Sequence, residues 1–214
     1  MIKEAILNHK LIAILRGVTP EQLIPLLEAL YEGGVRLAEI TFDAKGVTPA
    51  EETAWQIGAA AAHFAGRMHI GAGTVLTVEQ AQLAIDNGAK FLISPNVDEG
   101  VIRYAKQQGV ISMPGAFTPT EAVNAVNMGA DFVKIFPSDT LGPKYFKAIS
   151  APLSHIKFLA VGGVDHLNVT DFLRSGAVGV GVASNIVNKE MLKKGDYAGI
   201  TGLARLYTEA IEKA

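Results

Sequence analysis

Gly109-Val-Ile-Ser-Met-Pro-Gly-Ala-Phe-Thr-Pro-Thr-Glu-Ala-Val-Asn-Ala-Val-Asn-Met-Gly-Ala-Asp-Phe-Val-Lys-Ile135 holds one complete structural unit. A glycine is followed by a short apolar run, the signature of a strand leaving a helix end. Thr118 then precedes Pro119 and Glu121, which places a capping hydroxyl, a preset first-turn φ and a first-turn acid at a helix start. The amphipathic stretch that follows ends at Gly129, and Phe132–Ile135 begins the next strand. Working outward, the same junction recurs as Gly34-Val-Arg-Leu-Ala-Glu-Ile, Gly88-Ala-Lys-Phe-Leu-Ile and Gly176-Ala-Val-Gly-Val-Gly-Val, with 109−88=21 and 129−109=20 residues between the central three. A second Thr-capped helix start stands at Thr19-Pro-Glu-Gln-Leu-Ile. With Leu11–Leu15, Met68–Ala72 and Lys157–Val161 added, the pattern predicts eight strands near 11–15, 36–41, 68–72, 90–94, 110–113, 131–135, 157–161 and 177–182. Strands apolar on both faces and separated by helices make a parallel sheet covered by helices. Eight of them predict a (β/α)8 TIM barrel, a single domain over residues 1–214 with a short helix before strand one. A doubly wound open sheet is the competing arrangement.

Composition narrows the chemistry. The 214 residues are 49% hydrophobic and 19% charged, with a formal net charge of −2, so no broad field draws nucleic acid or an anionic membrane. The absence of cysteine removes disulfides, thiolate nucleophiles and cysteine-built metal sites. His9, His63, His69, His155 and His166 have no ligand spacing, so no metal is expected. The apolar stretch near the start is too short to span a bilayer and lacks a cleavage pattern, which reads as cytoplasmic.

In a barrel of this type the site lies at the C-terminal strand ends, so polar residues that interrupt them are the candidates. Glu39 sits inside Ala38-Glu39-Ile40-Thr41-Phe42 and Lys134 inside Phe132-Val133-Lys134-Ile135-Phe136. Alternation sends Lys134 into the barrel if Val133 and Ile135 pack on the helices. The two strands are both even-numbered, so Glu39 and Lys134 are expected to face one another across the mouth, as a catalytic pair or as a structural ion pair. A desolvated lysine loses its proton readily and attacks ketones as the neutral amine, and a carboxylate beside it moves protons. Thr74, in Gly71-Ala-Gly-Thr-Val-Leu, either aims its hydroxyl over the barrel or caps a tight turn. Pro95 and Pro114 stiffen the rim after strands four and five. Arg16, after strand one, meets a carboxylate at the mouth or forms a surface salt bridge. Gly162 and Gly163, with Ser184 at a helix start, supply a phosphate cradle after strands seven and eight or serve as ordinary turns.

Taken together, Leu-Ile-Ala-Ile-Leu-Arg16-Gly, Ala-Glu39-Ile-Thr, Gly-Ala-Gly-Thr74-Val-Leu, Ser-Pro95-Asn, Pro114-Gly115-Ala, Val-Lys134-Ile-Phe136-Pro and Val-Gly162-Gly163-Val resemble the 2-keto-3-deoxy-6-phosphogluconate (KDPG) and 4-hydroxy-2-oxoglutarate (KHG) aldolases, near their phosphogalactonate branch. The resemblance implies a metal-independent, cofactor-free class I aldolase. Lys134 forms an imine with a phosphorylated keto acid, Glu39 acts as acid/base, Arg16 and Thr74 bind the carboxylate, and Pro95 and Phe136 contact substrate. Gly162, Gly163 and Ser184 hold the phosphate. The products are pyruvate and glyceraldehyde 3-phosphate, or pyruvate and glyoxylate from 4-hydroxy-2-oxoglutarate. It also implies a cytoplasmic homotrimer in Entner–Doudoroff-type carbohydrate metabolism. Two positions depart from the phosphogluconate pattern: Phe42-Asp43-Ala44 replaces a Leu-Arg-Thr run, and Ala160-Val161 precedes the two glycines in place of Pro-Thr. The departures leave the C4 configuration of the sugar open. The alternatives are an isomerase or epimerase with Glu39 as base and Lys134 as electrostatic stabiliser, and a non-catalytic trimeric barrel.

Overall fold

The computed structural model describes residues 1–214. Its strands are β1 (Leu11–Leu15), β2 (Leu37–Thr41), β3 (His69–Gly73), β4 (Phe91–Ile93), β5 (Ile111–Met113), β6 (Gly115–Ala116), β7 (Val133–Ile135), β8 (Phe158–Val161) and β9 (Ala177–Val182). All pairings are parallel. The order is β5-β4-β3-β2-β1-β9-β8-β7-β6, so the two ends of the sheet are consecutive in the chain and only Pro114 separates them. Proline has no N–H to donate, and the ladder breaks there. The ring nevertheless closes across the break. Ser112 O accepts from the amides of Asp131 (3.1 Å) and Phe132 (3.3 Å), and Pro114 O accepts from Lys134 N–H at 2.9 Å. The expected eight strands are therefore corrected in one place: the fifth is two short segments. The open-sheet alternative falls with the closure.

Helices α1 (Ile2–His9), α2 (Pro20–Glu32), α3 (Ala50–His63), α4 (Val78–Asp86), α5 (Glu99–Gln107), α6 (Pro119–Met128), α7 (Gly142–Ser150), α8 (Val169–Arg174), α9 (Lys189–Lys194) and α10 (Tyr197–Glu212) complete the chain. The α6 start forms as its sequence requires: Thr118 Oγ1 accepts from Glu121 N–H (3.3 Å), and Glu121 Oε2 accepts from Thr118 N–H (2.8 Å). At its end Gly129 takes φ 111°, a left-handed conformation glycine adopts without strain. None of the ten helices is long and apolar enough to cross a membrane.

The apolar side chains form two cores separated by the sheet. Val133 and Ile135 belong to the outer one, between strands and helices, while Phe132 belongs to the inner one with Ile12, Leu37, Phe91, Ile93, Ile111, Met113 and Leu159. Burying each large side chain of this kind contributes roughly 1.5–3 kcal/mol. Ile6, from α1, is fully buried against the inner cluster, so α1 plugs the N-terminal end of the barrel. Gly71 makes this interior possible, because a Cβ there would lie 2.3 Å from the Phe91 ring. The apolar filling leaves the C-terminal end as the place for polar groups.

Candidate active site

Alternation along β7 puts Lys134 on the same side as Phe132, above the apolar plug, where its side chain is 7% exposed. Glu39 arrives from β2 and is 2% exposed. Gly73 on β3 makes room for it, since a Cβ at that position would lie 2.5 Å from Glu39 Oε1. Both residues line one cavity of ≈ 290 Å³, as expected from the parity of their strands. They do not form the direct ion pair considered from sequence: no carboxylate lies within 4.0 Å of Lys134 Nζ. Glu39 Oε2 is buried without a hydrogen-bond partner, an exception among buried polar atoms that marks a place for a proton donor.

Desolvation sets the proton affinities of both groups. Burial raises the Glu39 carboxyl to about 7, against the opposing pull of the Lys134 and Arg16 charges. Burial also lowers Lys134, with Glu39 opposing and the Arg16 charge adding to the shift. Burial thus works on both groups in the same sense, favouring the uncharged carboxylic acid at Glu39 and the uncharged amine at Lys134. The Phe136 ring, 38% exposed at the mouth, has its centroid 4.5 Å from Lys134 Nζ.

Gly162 and Gly163 follow β8 and have φ values of 91° and 68°, which place them in the left-handed region. Ser138 ties this loop to the end of β7: its hydroxyl donates to Ile135 O (2.8 Å) and accepts from Val161 N–H (3.0 Å). The amides of Gly162, Gly163, Val164, Ser184 and Asn185 donate to no backbone acceptor, and all five residues line the cavity. The expected helix start at Ser184 is corrected. Residues 183–187 form a single turn, in which Ile186 and Val187 donate to Ala183 O, and α9 begins only at Lys189. The local result is still a set of free N–H groups beside a hydroxyl. Asn185, Val164 and Lys189 belong to the lining and were not singled out from sequence. Lys189 carried a signal that could have been used, as a cation two residues beyond the last turn of the predicted phosphate loop.

Arg16 joins this cavity to a second one of ≈ 300 Å³, lined also by Thr41, Lys45, Thr48 and Thr74. Its Nη2 donates to Thr74 Oγ1 at 3.5 Å, a long contact, and it has no carboxylate partner, so the salt-bridge reading is excluded. Thr74 is not a helix cap either; α4 is capped by Thr77. With φ 55°, Thr74 is a β-branched residue held in the left-handed region, and such strain concentrates at functional sites. Two sequence candidates stand apart from the Lys134 cavity. Thr74 reaches it only through Arg16, and Pro95 lines neither cavity. Pro95 instead packs its carbonyl against Gly115, where a Cβ would lie 2.3 Å away. Asp43, in place of the family arginine, has its oxygens occupied by the amides of Lys45 (3.0 Å), Val47 (2.9 Å) and Thr48 (3.1 Å). No group of three His, Asp or Glu side chains is close enough to hold a metal ion.

Comparison with known proteins supplies the remaining fact. The family model described as "Aldolase: KDPG and KHG aldolase" matches residues 2–203. A probable 2-dehydro-3-deoxy-6-phosphogalactonate aldolase of Rhizobium meliloti is 39% identical over 186 residues, 86% of this chain and 85% of its own. The 2-dehydro-3-deoxy-6-phosphogalactonate aldolase of Escherichia coli is 34% identical over 205 residues, 94% and 96% of the two chains. The crystal structure of KDPG aldolase from Legionella pneumophila, with pyruvate captured at low pH as a covalent carbinolamine intermediate, superposes with a TM-score of 0.85 and 28% identity over 95% of this chain and 96% of that one. A closed parallel barrel with a desolvated lysine at its C-terminal end, matched along nearly its whole length, thus gives one conclusion: the chain belongs to the KDPG and KHG aldolase family.

Proposed function

We propose that this aldolase cleaves a 2-keto-3-deoxy-6-phospho sugar acid, of the gluconate or galactonate type, to pyruvate and glyceraldehyde 3-phosphate, with Lys134 as the covalent nucleophile. The observation that carries the reading is the desolvated Lys134 sharing a cavity with the unpartnered Glu39 oxygen and five free backbone amides. The neutral Lys134 amine adds to the C2 ketone, and loss of water from the carbinolamine gives an iminium that accepts electrons from the C3–C4 bond. Glu39, through a water, takes the C4 hydroxyl proton as that bond breaks and the aldehyde leaves. The enamine is then protonated at C3, and hydrolysis of the imine releases pyruvate and restores Lys134. A carboxyl near pH 7 is matched to both directions of this proton traffic.

Arg16, which lacks a protein carboxylate, and Thr74 take the substrate carboxylate. Phe136 packs beside the imine, Pro95 holds the rim behind Gly115, and the amides and hydroxyl around Gly162, Gly163 and Ser184 take the phosphate. Cleavage of 4-hydroxy-2-oxoglutarate to pyruvate and glyoxylate uses the same parts without the phosphate. An isomerase or epimerase reading gives Lys134 no reason to be desolvated, and the family match disfavours it along with the non-catalytic reading. Assembly as a cytoplasmic homotrimer, in Entner–Doudoroff-type metabolism, is part of the same proposal, with the exposed Val47 and Trp55 as apolar surface for subunit contact. Sedimentation velocity tests the assembly. Pyruvate release from both C4 epimers, measured with and without a chelator, tests the reaction. Chelator-insensitive cleavage of at least one epimer is expected, and failure on both epimers and on 4-hydroxy-2-oxoglutarate would remove the proposal.

A further inference from the structure

We infer that Lys189 is a specificity-determining residue, the cation that makes this cavity select phosphorylated over unphosphorylated keto acids. The inference rests on the phosphate placement proposed above. A phosphate monoester carries about −1.5 to −2 charges near pH 7, while backbone amides contribute only partial positive charge. The cavity has three basic side chains in its lining, Arg16, Lys134 and Lys189, and burial favours the uncharged form of Lys134. The first two lie with Glu39 at the barrel end, where their charges act on its carboxyl. That leaves Lys189 for the glycine end.

The glycine end needs a cation for a second reason. Asp139 packs directly on Gly163, where an added Cβ would fall 2.1 Å from Asp139 Cβ, so a carboxylate borders the amides that would receive an anion. Lys189 is also unoccupied. It forms no ion pair, and Glu190, its neighbour in the chain, is engaged by Lys193 at 3.3 Å. Its position is fixed from behind, because the Asn188 side chain accepts from the amides of Glu190 (3.0 Å) and Met191 (3.1 Å), which holds the first residue of α9 at the cavity edge. A long ammonium side chain held there covers the open side of the amide cradle and offsets Asp139.

The test uses the full chain, its Lys189→Ala and Lys189→Arg variants, and inorganic phosphate as the probe. Lys189→Ala is expected to weaken phosphate binding by calorimetry, and to raise KM for the 6-phospho sugar acid at constant kcat, each by about tenfold, the effect of losing one partly exposed charge-assisted contact. Its loss of kcat/KM is expected to be clearly smaller for 4-hydroxy-2-oxoglutarate, which has no phosphate, and Lys189→Arg recovers most of the losses in phosphate binding and KM. Equal losses on the two substrates would mean that Lys189 merely supports the fold, and unchanged phosphate binding in Lys189→Ala overturns the inference outright. If the wild-type chain cleaves neither substrate, the aldolase reading fails, while the phosphate titration still decides the role of Lys189.

Discussion

At the residue scale, Glu39, the proposed acid/base, imposes a cost on the fold. Its carboxyl is raised to about 7 by burial, from a usual value near 4.5. The folded chain therefore holds a proton that the unfolded chain has released between those two values, and stability falls as pH rises through that window. Glu39→Gln has no such dependence. Above pH 7 the variant is expected to be more stable than wild type, on the order of 3 kcal/mol from the size of the shift, with the difference vanishing below about pH 4.5. Urea titrations at several pH values measure this. The same variant should lose about 10²–10⁴-fold in kcat, as expected when a general acid/base is removed. Thr74 presents the same trade in another form. Its left-handed backbone stores strain of order 1–3 kcal/mol, so Thr74→Gly should melt no lower than wild type while its KM for substrate rises. A clear drop in melting temperature would show that Thr74 packs rather than binds.

At the scale of elements, the glycines of β3 are read differently once the barrel is closed. In the sequence they stand out only as part of the run that contains Thr74. In the structure Gly71 and Gly73 leave room for side chains of neighbouring strands, Phe91 and Glu39. Gly71→Ala should therefore destabilise by about 1–3 kcal/mol through overpacking, with partial rescue by Phe91→Leu. Gly73→Ala should chiefly displace the Glu39 carboxylate and lower activity. Chemical denaturation and kcat, compared for the two variants, separate these roles. The loop after β2 is governed by Asp43, whose carboxyl is held below its usual range by the amides of Lys45, Thr48 and Val47. Asp43→Ala should speed hydrogen exchange at these three amides. The strands and caps were legible because helix-ending glycines and Thr-Pro starts act locally. The interruption at Pro114 was not, since it depends on which neighbour would have received the missing N–H.

At the scale of the whole molecule, the chain divides its barrel into an apolar half and a half that holds buried polar groups. The lower half is filled by Phe91, Phe132 and their neighbours and plugged by Ile6, while the upper half holds Lys134 and Glu39 with little water around them. Strand parity let the sequence bring those two together, because side-chain alternation and barrel layering are regular. The placement of Pro95 outside the cavity, the division of Arg16 between two cavities and the lining by Lys189 were not legible. Each depends on loop paths that no period describes. The central claim is that burial makes Lys134 a nucleophile, and intact-mass spectrometry after incubation with pyruvate and sodium borohydride tests it most directly, alongside Lys134→Ala. One reduced pyruvate adduct on each wild-type chain, absent from the variant, is the predicted result. An unmodified wild-type chain, under conditions that trap another class I aldolase, would contradict the account.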